Sequence, residues 1–171
     1  TYFLGDAKPV LAVCSPSNKA AFDKMIDGTS VRNIRTLSGD GKGSLFVLAA
    51  ISGKSFATAS VKKDDLAAIL YTSGTTGRSK GAMLSHENLR SNALTLVKYW
   101  QFTASDVLLH PLPIFHTHGL FVATNTVLLS GGSIILLPKF DVAEMVNQMP
   151  HCTVMMGVPT HYLRLLAAKE F

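Results

Sequence analysis

Short apolar segments alternate with longer amphipathic segments along the chain, and this alternation constrains the fold more than any other feature. The apolar runs have the length of buried strands, whereas the longer segments repeat apolar residues every three or four positions, as one face of a helix does. The strand-like segments are 9–14, 31–37, 66–72, 106–110, 133–138 and 153–156. The helix-like segments are 17–26, 86–100, 119–129, 141–149 and 161–170, and 45–52 is compatible with either structure. Strands that alternate with helices predict an α/β fold with a largely parallel sheet flanked by helices.

Three of the predicted helices begin at a residue suited to cap them. Ser85 precedes the helix at 86–100 and places Glu87 in its first turn, where an acidic side chain interacts favourably with the helix dipole. Asp141 and Glu144 have the spacing of a capping box. Thr160 is the predicted cap of the last helix. These residues predict where each of the three helices starts.

Hydrophobic residues make up 47% of the chain and charged residues 16%, which is typical of a packed domain and not of a disordered segment. The formal net charge is +5, but the basic residues are scattered and the longest basic run is Lys62-Lys63. This distribution disfavours a nucleic-acid surface and suits an anionic small substrate. No apolar run approaches the roughly 18 residues that a membrane-spanning helix needs, so no membrane span is predicted.

The sequence shows no internal repeat and no domain linker, and we interpret the poorly patterned segment 38–63 as an excursion within one domain. The first residue is not methionine, and we expect the chain to be a piece of something longer. One partial domain is therefore predicted over residues 1–171. Cys14 and Cys152 lie in or beside strand-like runs, which favours two free thiols in a reducing compartment, and hence a cytoplasmic location, over a single long-range disulfide.

The segment YTSGTTGRSKG, residues 71–81, packs hydroxyl residues and glycines more densely than any other part of the chain. It follows the apolar run 66–72, and a loop after a buried strand lies at the sheet edge where α/β proteins bind ligands. Hydroxyl groups, a closely approaching glycine backbone and one lysine together suit a polyphosphate. The candidate phosphate-binding residues are Thr72, Ser73, Gly74, Thr75, Thr76, Gly77 and Lys80.

The spacing of this loop differs from that of the generic P-loop, because the lysine comes three residues after Gly77 and is followed by Gly81. The loop also leads into the extended-looking segment 81–84, so no helix N-terminus is expected at the phosphates. A polar surface turn is the alternative interpretation. It is disfavoured by so many small polar residues directly behind a core strand.

YTSGTTGRSKG resembles the phosphate-loop signature of the adenylate-forming enzymes, which comprise acyl-CoA synthetases, luciferases and peptide-synthetase adenylation domains. One departure is Ser79, where most members have proline. LPIFHTHGL (112–120) resembles the family's second core motif, and GVPTHYLRLL (157–166) resembles the segment that begins another wall of the acid pocket. The resemblance places the whole chain inside the large N-terminal part of such an enzyme. Among subfamilies, LLHPLPIFHTHGL is most similar to the malonyl-CoA synthetases.

The resemblance implies a two-step ligation. A carboxylate attacks the α-phosphate of ATP, which gives an acyl-adenylate and pyrophosphate, and the sulfur of coenzyme A then attacks the acyl carbon. Mg²⁺ accompanies the phosphates, with Thr76 as its contact in the loop. The hydroxyl residues and Lys80 are assigned to the β- and γ-phosphates, Gly74 and Gly77 to loop geometry, and Gly81 to a structural role.

The acid pocket is assigned to His116 and His118 of the second motif and to Thr160. These polar groups suit a second carboxylate better than an alkyl chain, because a polar wall facing an alkyl chain loses water without gaining a partner. A small malonate-like acid is therefore expected. A structural role for His118 remains open, and His161 is interpreted as structural. A zinc site is disfavoured, since Asp106 is the only nearby acid and no cysteine is close.

The family motifs that contact adenine and ribose and that supply the catalytic lysine are not in this sequence. No catalytic residue is therefore assigned, and the chain by itself is expected to be inactive. A medium- or long-chain fatty acyl-CoA synthetase is the alternative within the same class. A non-catalytic nucleotide- or phosphate-binding module and a purely structural fragment are the alternatives from other classes.

Overall fold

The computed structural model describes residues 2–72 and 77–169. The chain divides into two compact units, Thr1–Ser60 and Val61–Phe171. The boundary falls within the poorly patterned segment 38–63. The single partial domain over 1–171 stays a prediction.

Within residues 2–60, the first unit combines short helices with a two-stranded parallel sheet. Its elements are α1 (Tyr2–Ala7), β1 (Leu11–Cys14), a 3-10 turn (Pro16–Asn18), α2 (Lys19–Met25), β2 (Asn33–Thr36) and α3 (Ser44–Ile51). Ala12, Val31 and Ile34 form its buried centre. The segment 45–52, which was compatible with either structure, is therefore helical up to Ile51.

The second unit carries the two motifs that point to function. Its elements are β3 (Leu66–Thr72), β4 (Lys80–Ser85), α4 (His86–Trp100), β5 (Val107–His110), a π-helical segment (His118–Thr124), α5 (Asn125–Ser130), β6 (Ser133–Leu136), α6 (Val142–Gln148), a 3-10 turn (Met149–His151), β7 (Val154–Met155) and α7 (Pro159–Leu166). The alternation predicted from the sequence is confirmed, and the bounds of β3 and α4 match the predicted segments residue for residue.

A parallel sheet in the order β6-β5-β7 forms the centre of this unit. Neighbouring residues of β5 point to opposite faces, so Leu108 and Leu109, both 0% exposed, enter two different apolar clusters. Leu108 packs with Val127 in one cluster, and Leu109 packs with Met145 in the other. The sheet is therefore covered on both sides, as expected for an α/β fold.

The strand before the hydroxyl-rich loop differs from its prediction. β3 pairs antiparallel with β4, and its residues are half-buried with exposed ends, whereas the apolar run predicted a fully buried strand of the parallel sheet. The physical reason is the next segment. Because 80–85 is also extended, the chain returns along β3 as a hairpin instead of crossing over through a helix.

Two of the three predicted helix caps are present. The Ser85 side chain accepts a hydrogen bond from the backbone of Asn88 in a full capping box, and Asp141 accepts one from the backbone of Glu144. The Thr160 cap is wrong, because α7 already begins at Pro159 with Val158 before it. Proline supplies a preset helical φ at the first position of a helix, so α7 starts two residues before the predicted start at His161.

Cys14 and Cys152 are both half-buried free thiols. No helix among residues 2–72 and 77–169 combines the length and the apolarity needed to cross a membrane.

Candidate functional site

The β3–β4 hairpin holds the two ends of the predicted phosphate loop. Thr72 and Lys80 are paired at the loop end of the ladder, and both are exposed. Gly77 has φ +90°, in the region that side chains rarely adopt, so its place in the turn favours glycine. A methyl group on Gly81 would lie 2.8 Å from Ile69 Cγ2, which fits the structural role expected for that glycine.

The middle of this loop carries most of the predicted phosphate contacts. Ser73, Gly74, Thr75 and Thr76 lie outside the described residues. Their roles towards phosphate, and that of Thr76 towards Mg²⁺, stay predictions. The described ends agree with such a site, because a lysine and a threonine hydroxyl lie side by side at its mouth.

The segment after β5 carries the second motif and folds back on itself. The backbone N–H of His116 donates to Pro113 O at 3.2 Å, and that of Leu120 donates to His116 O at 2.9 Å. The N–H of His118 lies 3.4 Å from His116 Nδ1, which accepts from it. These contacts turn the extended chain into the π-helical segment within a few residues, and they place His116 on the surface and His118 half inside.

His116 and His118 line one cavity of about 310 Å³ together with His161. The remaining lining is apolar, from Leu112, Pro113, Gly119 and Val158. The structure thus brings together the two histidines that the sequence assigned to one pocket. It adds a third imidazole from α7, a helix distant in sequence.

The lining of this cavity contains His161 and not Thr160, which is exposed in the first turn of α7. The His161 ring stacks on Phe140 with ring centroids 4.1 Å apart and an interplanar angle of 15°. The Arg164 guanidinium carbon lies 4.7 Å from the centroid of the Phe140 ring. Sequence reasoning missed His161 as a pocket residue. Its position directly after the GVPT segment was the signal available.

His161 Nδ1 is buried and, within the described part of the chain, has no hydrogen-bond partner. Burial, followed by the neighbouring Arg164 guanidinium, lowers the pKa of His161 below its ordinary value. Burial, followed by the rings of His116 and His110, lowers the pKa of His118 in the same way. Both imidazoles are therefore held neutral at pH 7, and each can donate one N–H to a bound acid.

A second cavity of about 240 Å³ connects the two motifs. It is lined by the end of β3 and by part of the second motif: Leu70, Tyr71, Thr72, Phe115, His116 and Thr117. His116 thus lines both cavities, with Thr72 of the phosphate hairpin on one side and His118 on the other. The arrangement places His116 next to the strand that leads into the predicted phosphate loop.

Histidine side chains such as those of this segment are common metal ligands. Among residues 2–72 and 77–169, no three His, Cys, Asp or Glu side chains are grouped as a metal ion would require. Asp106 is instead engaged in local structure, since its carboxylate accepts from the N–H and hydroxyl of Thr103 and from the hydroxyl of Thr153.

Comparison with known proteins agrees with this geometry. The sequence profile of the AMP-binding enzyme family matches residues 1–171. A mitochondrial malonate–CoA ligase of Mus musculus is 41% identical over 109 residues, which are 61% of this chain and 19% of that protein. A malonate–CoA ligase of Arabidopsis thaliana is 38% identical over 119 residues, which are 63% of this chain and 20% of that protein.

The crystal structure of ATP-bound MatB from Rhodopseudomonas palustris superposes with a TM-score of 0.95 at 55% identity. The superposition covers 99% of this chain and 33% of MatB. The chain therefore spans about a fifth of the length of the two malonate–CoA ligases and a third of MatB. With a profile match over its full length, the chain belongs to the AMP-binding enzyme family.

Proposed function

We propose that this chain is part of an ATP-dependent acid–CoA ligase whose acid is a small malonate-like dicarboxylate. Membership of the AMP-binding enzyme family supports the reaction class. The two similar malonate–CoA ligases support the acid, and the ATP-bound state of MatB supports the nucleotide.

The observation that carries the proposal is the position of His116 between two cavities. One cavity is shared with Thr72 at the entrance to the phosphate loop, and the other is shared with His118 and His161. Adenylation requires a carboxylate oxygen to reach the α-phosphate, and an enzyme gains most by holding the two reactants side by side. An acid in the histidine-lined cavity and a triphosphate at the hairpin would be neighbours across His116.

The histidine-lined cavity suits a small polar acid. Its volume of about 310 Å³ is near the lower end of the roughly 300–1,000 Å³ that is usual for ligand pockets. Three imidazoles line this cavity and would offer N–H donors to a second carboxylate, which supports a small polar acid. An alkyl chain in the same place would leave these groups without partners, which is unfavourable.

The hairpin would bind the phosphates through its side chains and backbone. Lys80 and Thr72 would contact phosphate oxygens at the mouth of the loop, and Ser73, Thr75 and Thr76 would supply the remaining hydroxyls. Mg²⁺ bound to those phosphates, with Thr76 as its proposed contact, would neutralise charge on them. Coenzyme A would take the acyl group in the second step. The cytoplasmic location stays a prediction, supported by two free thiols that fit a reducing compartment.

The test uses the full-length protein that carries this sequence. We expect malonate-dependent conversion of ATP to AMP and pyrophosphate, followed by formation of malonyl-CoA. Release of ADP and phosphate would contradict the adenylation chemistry. The values of kcat/KM for malonate, acetate and a medium-chain fatty acid then test the acid. A preference for the fatty acid would contradict the dicarboxylate and leave the ligase class intact.

A further inference from the structure

We propose that His110 is a positioning residue for the acid site. Its buried imidazole holds both ends of the segment 112–119, which carries His116 and His118. This inference rests on the proposed function, because it concerns the acid-binding cavity of that ligase.

His110 is fixed in place by the central strand of the parallel sheet. It is the last residue of β5, pairs with Leu136 of β6, and is 0% exposed. Its own carbonyl oxygen accepts from the N–H of Leu137 at 3.0 Å. A backbone tied into a buried ladder leaves the imidazole little freedom, so the ring can serve as a rigid anchor for the chain that follows.

The two ring nitrogens of His110 contact the two ends of the segment. Nδ1 lies 3.3 Å from the backbone N of Leu112, and Nε2 lies 2.8 Å from the carbonyl oxygen of Gly119. An amide N–H only donates and a carbonyl only accepts. The ring is therefore neutral, with its hydrogen on Nε2, and it accepts at one end of the segment and donates at the other.

The Gly119 carbonyl is the point at which several contacts meet. The Thr124 hydroxyl donates to it at 2.8 Å and lies 3.4 Å from His110 Nε2. A methyl group on Gly119 would lie 2.3 Å from Pro113 O, so the two ends of the segment already touch. Removing the His110 bond would release the carbonyl from one of its two donors.

His116 and His118 lie between these anchored ends. Both line the cavity of about 310 Å³, whereas His110 is not in the lining of that cavity or of the smaller one beside it. His110 therefore acts through the segment and not on the acid itself. A purely structural core histidine would affect stability alone, whereas a positioning residue also sets how well the acid binds.

The experiment measures the KM values for malonate and ATP in the full-length protein, separately from its thermal stability. For His110→Leu we expect the malonate KM to rise about tenfold or more, as for a misplaced binding group, and the ATP KM to change by less than about threefold. The control is Ile34→Ala, a buried position in the centre of the first unit, whose cluster contains no residue of the cavity. It should lower Tm and leave the malonate KM unchanged.

Two milder variants keep the inference testable if His110→Leu does not fold. His110→Gln retains an N–H donor for Gly119 O and should give a malonate KM between wild type and the leucine variant. Thr124→Val keeps the side-chain volume but removes the other donor, and should raise the malonate KM by about threefold, as for one neutral hydrogen bond. An unchanged malonate KM in Thr124→Val and in the folded His110 variants would overturn the inference.

A spectroscopic measurement separates failure of this inference from failure of the proposed function. If the wild type forms no AMP with malonate, the proposed acid is wrong, and the position of the segment is tested without turnover. In protein labelled with 15N-histidine, His110→Gln should shift the ring resonances of His116 and His118, whereas Ile34→Ala should not. Unmoved resonances would show that His110 does not position them.

Discussion

The hairpin and the segment after β5 form two adjoining parts of the candidate site, but they are held in different ways. In the hairpin, the ends of the loop are paired through the backbone, and the side chains of Thr72 and Lys80 are exposed. In the segment 112–119, the ends are tied by the side chain of His110, which is fully buried.

In the hairpin, ligand binding and stability should therefore depend on different groups. In the segment 112–119, they should depend on the same groups. A side-chain change at the mouth of the hairpin would remove a proposed phosphate contact and leave the ladder in place. A change at the anchors of the segment 112–119 would disturb the core and the histidine-lined cavity together, because the buried ring of His110 bonds both ends of the segment that lines it. The following variants test this contrast.

Gly119→Ala should have the largest effect. The new methyl group would lie 2.3 Å from Pro113 O, a backbone atom that cannot move aside cheaply. We expect a loss of about 100-fold in kcat/KM for the acid, as for a misplaced site, and a loss of about 1–3 kcal/mol in the free energy of unfolding, as for overpacking. Steady-state kinetics and denaturant titration measure the two effects.

Gly53→Ala is the matched control, because nothing lies within 4 Å of the methyl group it would add. It should leave both quantities close to wild type. Wild-type acid kinetics in Gly119→Ala would mean that the two ends of the segment do not need to touch.

Lys80→Ala tests the hairpin. One charged hydrogen bond contributes on the order of 1.5–3 kcal/mol, so kcat/KM for ATP should fall by about 10- to 100-fold. Tm should stay close to wild type, because the side chain is exposed. Lys98→Ala, which removes another exposed lysine in the last turn of α4, is the control and should leave ATP kinetics intact. Unchanged ATP kinetics in Lys80→Ala would remove this lysine from the site.

Ser85→Ala tests the junction between the hairpin and α4, which should contribute to stability and not to acid binding. The serine ends β4 and caps α4 through its bond to the Asn88 backbone at 3.2 Å. Loss of such a cap should cost about 1 kcal/mol in the free energy of unfolding and leave acid kinetics unchanged. Ser91→Ala, whose hydroxyl makes only a 3.4 Å contact on the exposed side of α4, should cost less than Ser85→Ala. Equal losses in the two variants would contradict the cap.

The smallest expected effect concerns pH and His118. Its pKa is lowered by burial and by the His116 and His110 rings, so the unfolded chain binds its proton more readily than the folded one. Stability is therefore highest above the ordinary histidine pKa and falls as the pH drops below it. His118→Gln should reduce the fall in Tm between pH 7.5 and about 5.5, because the variant has one titrating group fewer. An identical fall in wild type and variant would show that His118 titrates alike in both states.

The element pattern was predictable because it depends on neighbours in sequence. The spacing of apolar residues every three or four positions predicted both ends of α4 correctly, and Ser85 marked its start. The Thr160 cap was a wrong prediction for a similar local reason, since Pro159 starts α7 two residues before the predicted start at His161. His161 was interpreted as structural although it directly follows the GVPT segment, because the sequence does not show which side chains of α7 reach the cavity of His116 and His118.

The sequence by itself determined the order of helices and strands and the hydroxyl-rich loop with its lysine, because these reside in periodicity and in contiguous residues. The assignment of His116 and His118 to one pocket came from the resemblance of their motif to that of a known family. The tertiary structure alone decided that β3 pairs back on β4, that His161 lines the same cavity as His116 and His118, and that His110 bonds both Leu112 and Gly119. The physical reason is that each depends on packing and on directed hydrogen bonds between residues that only the folded chain brings together.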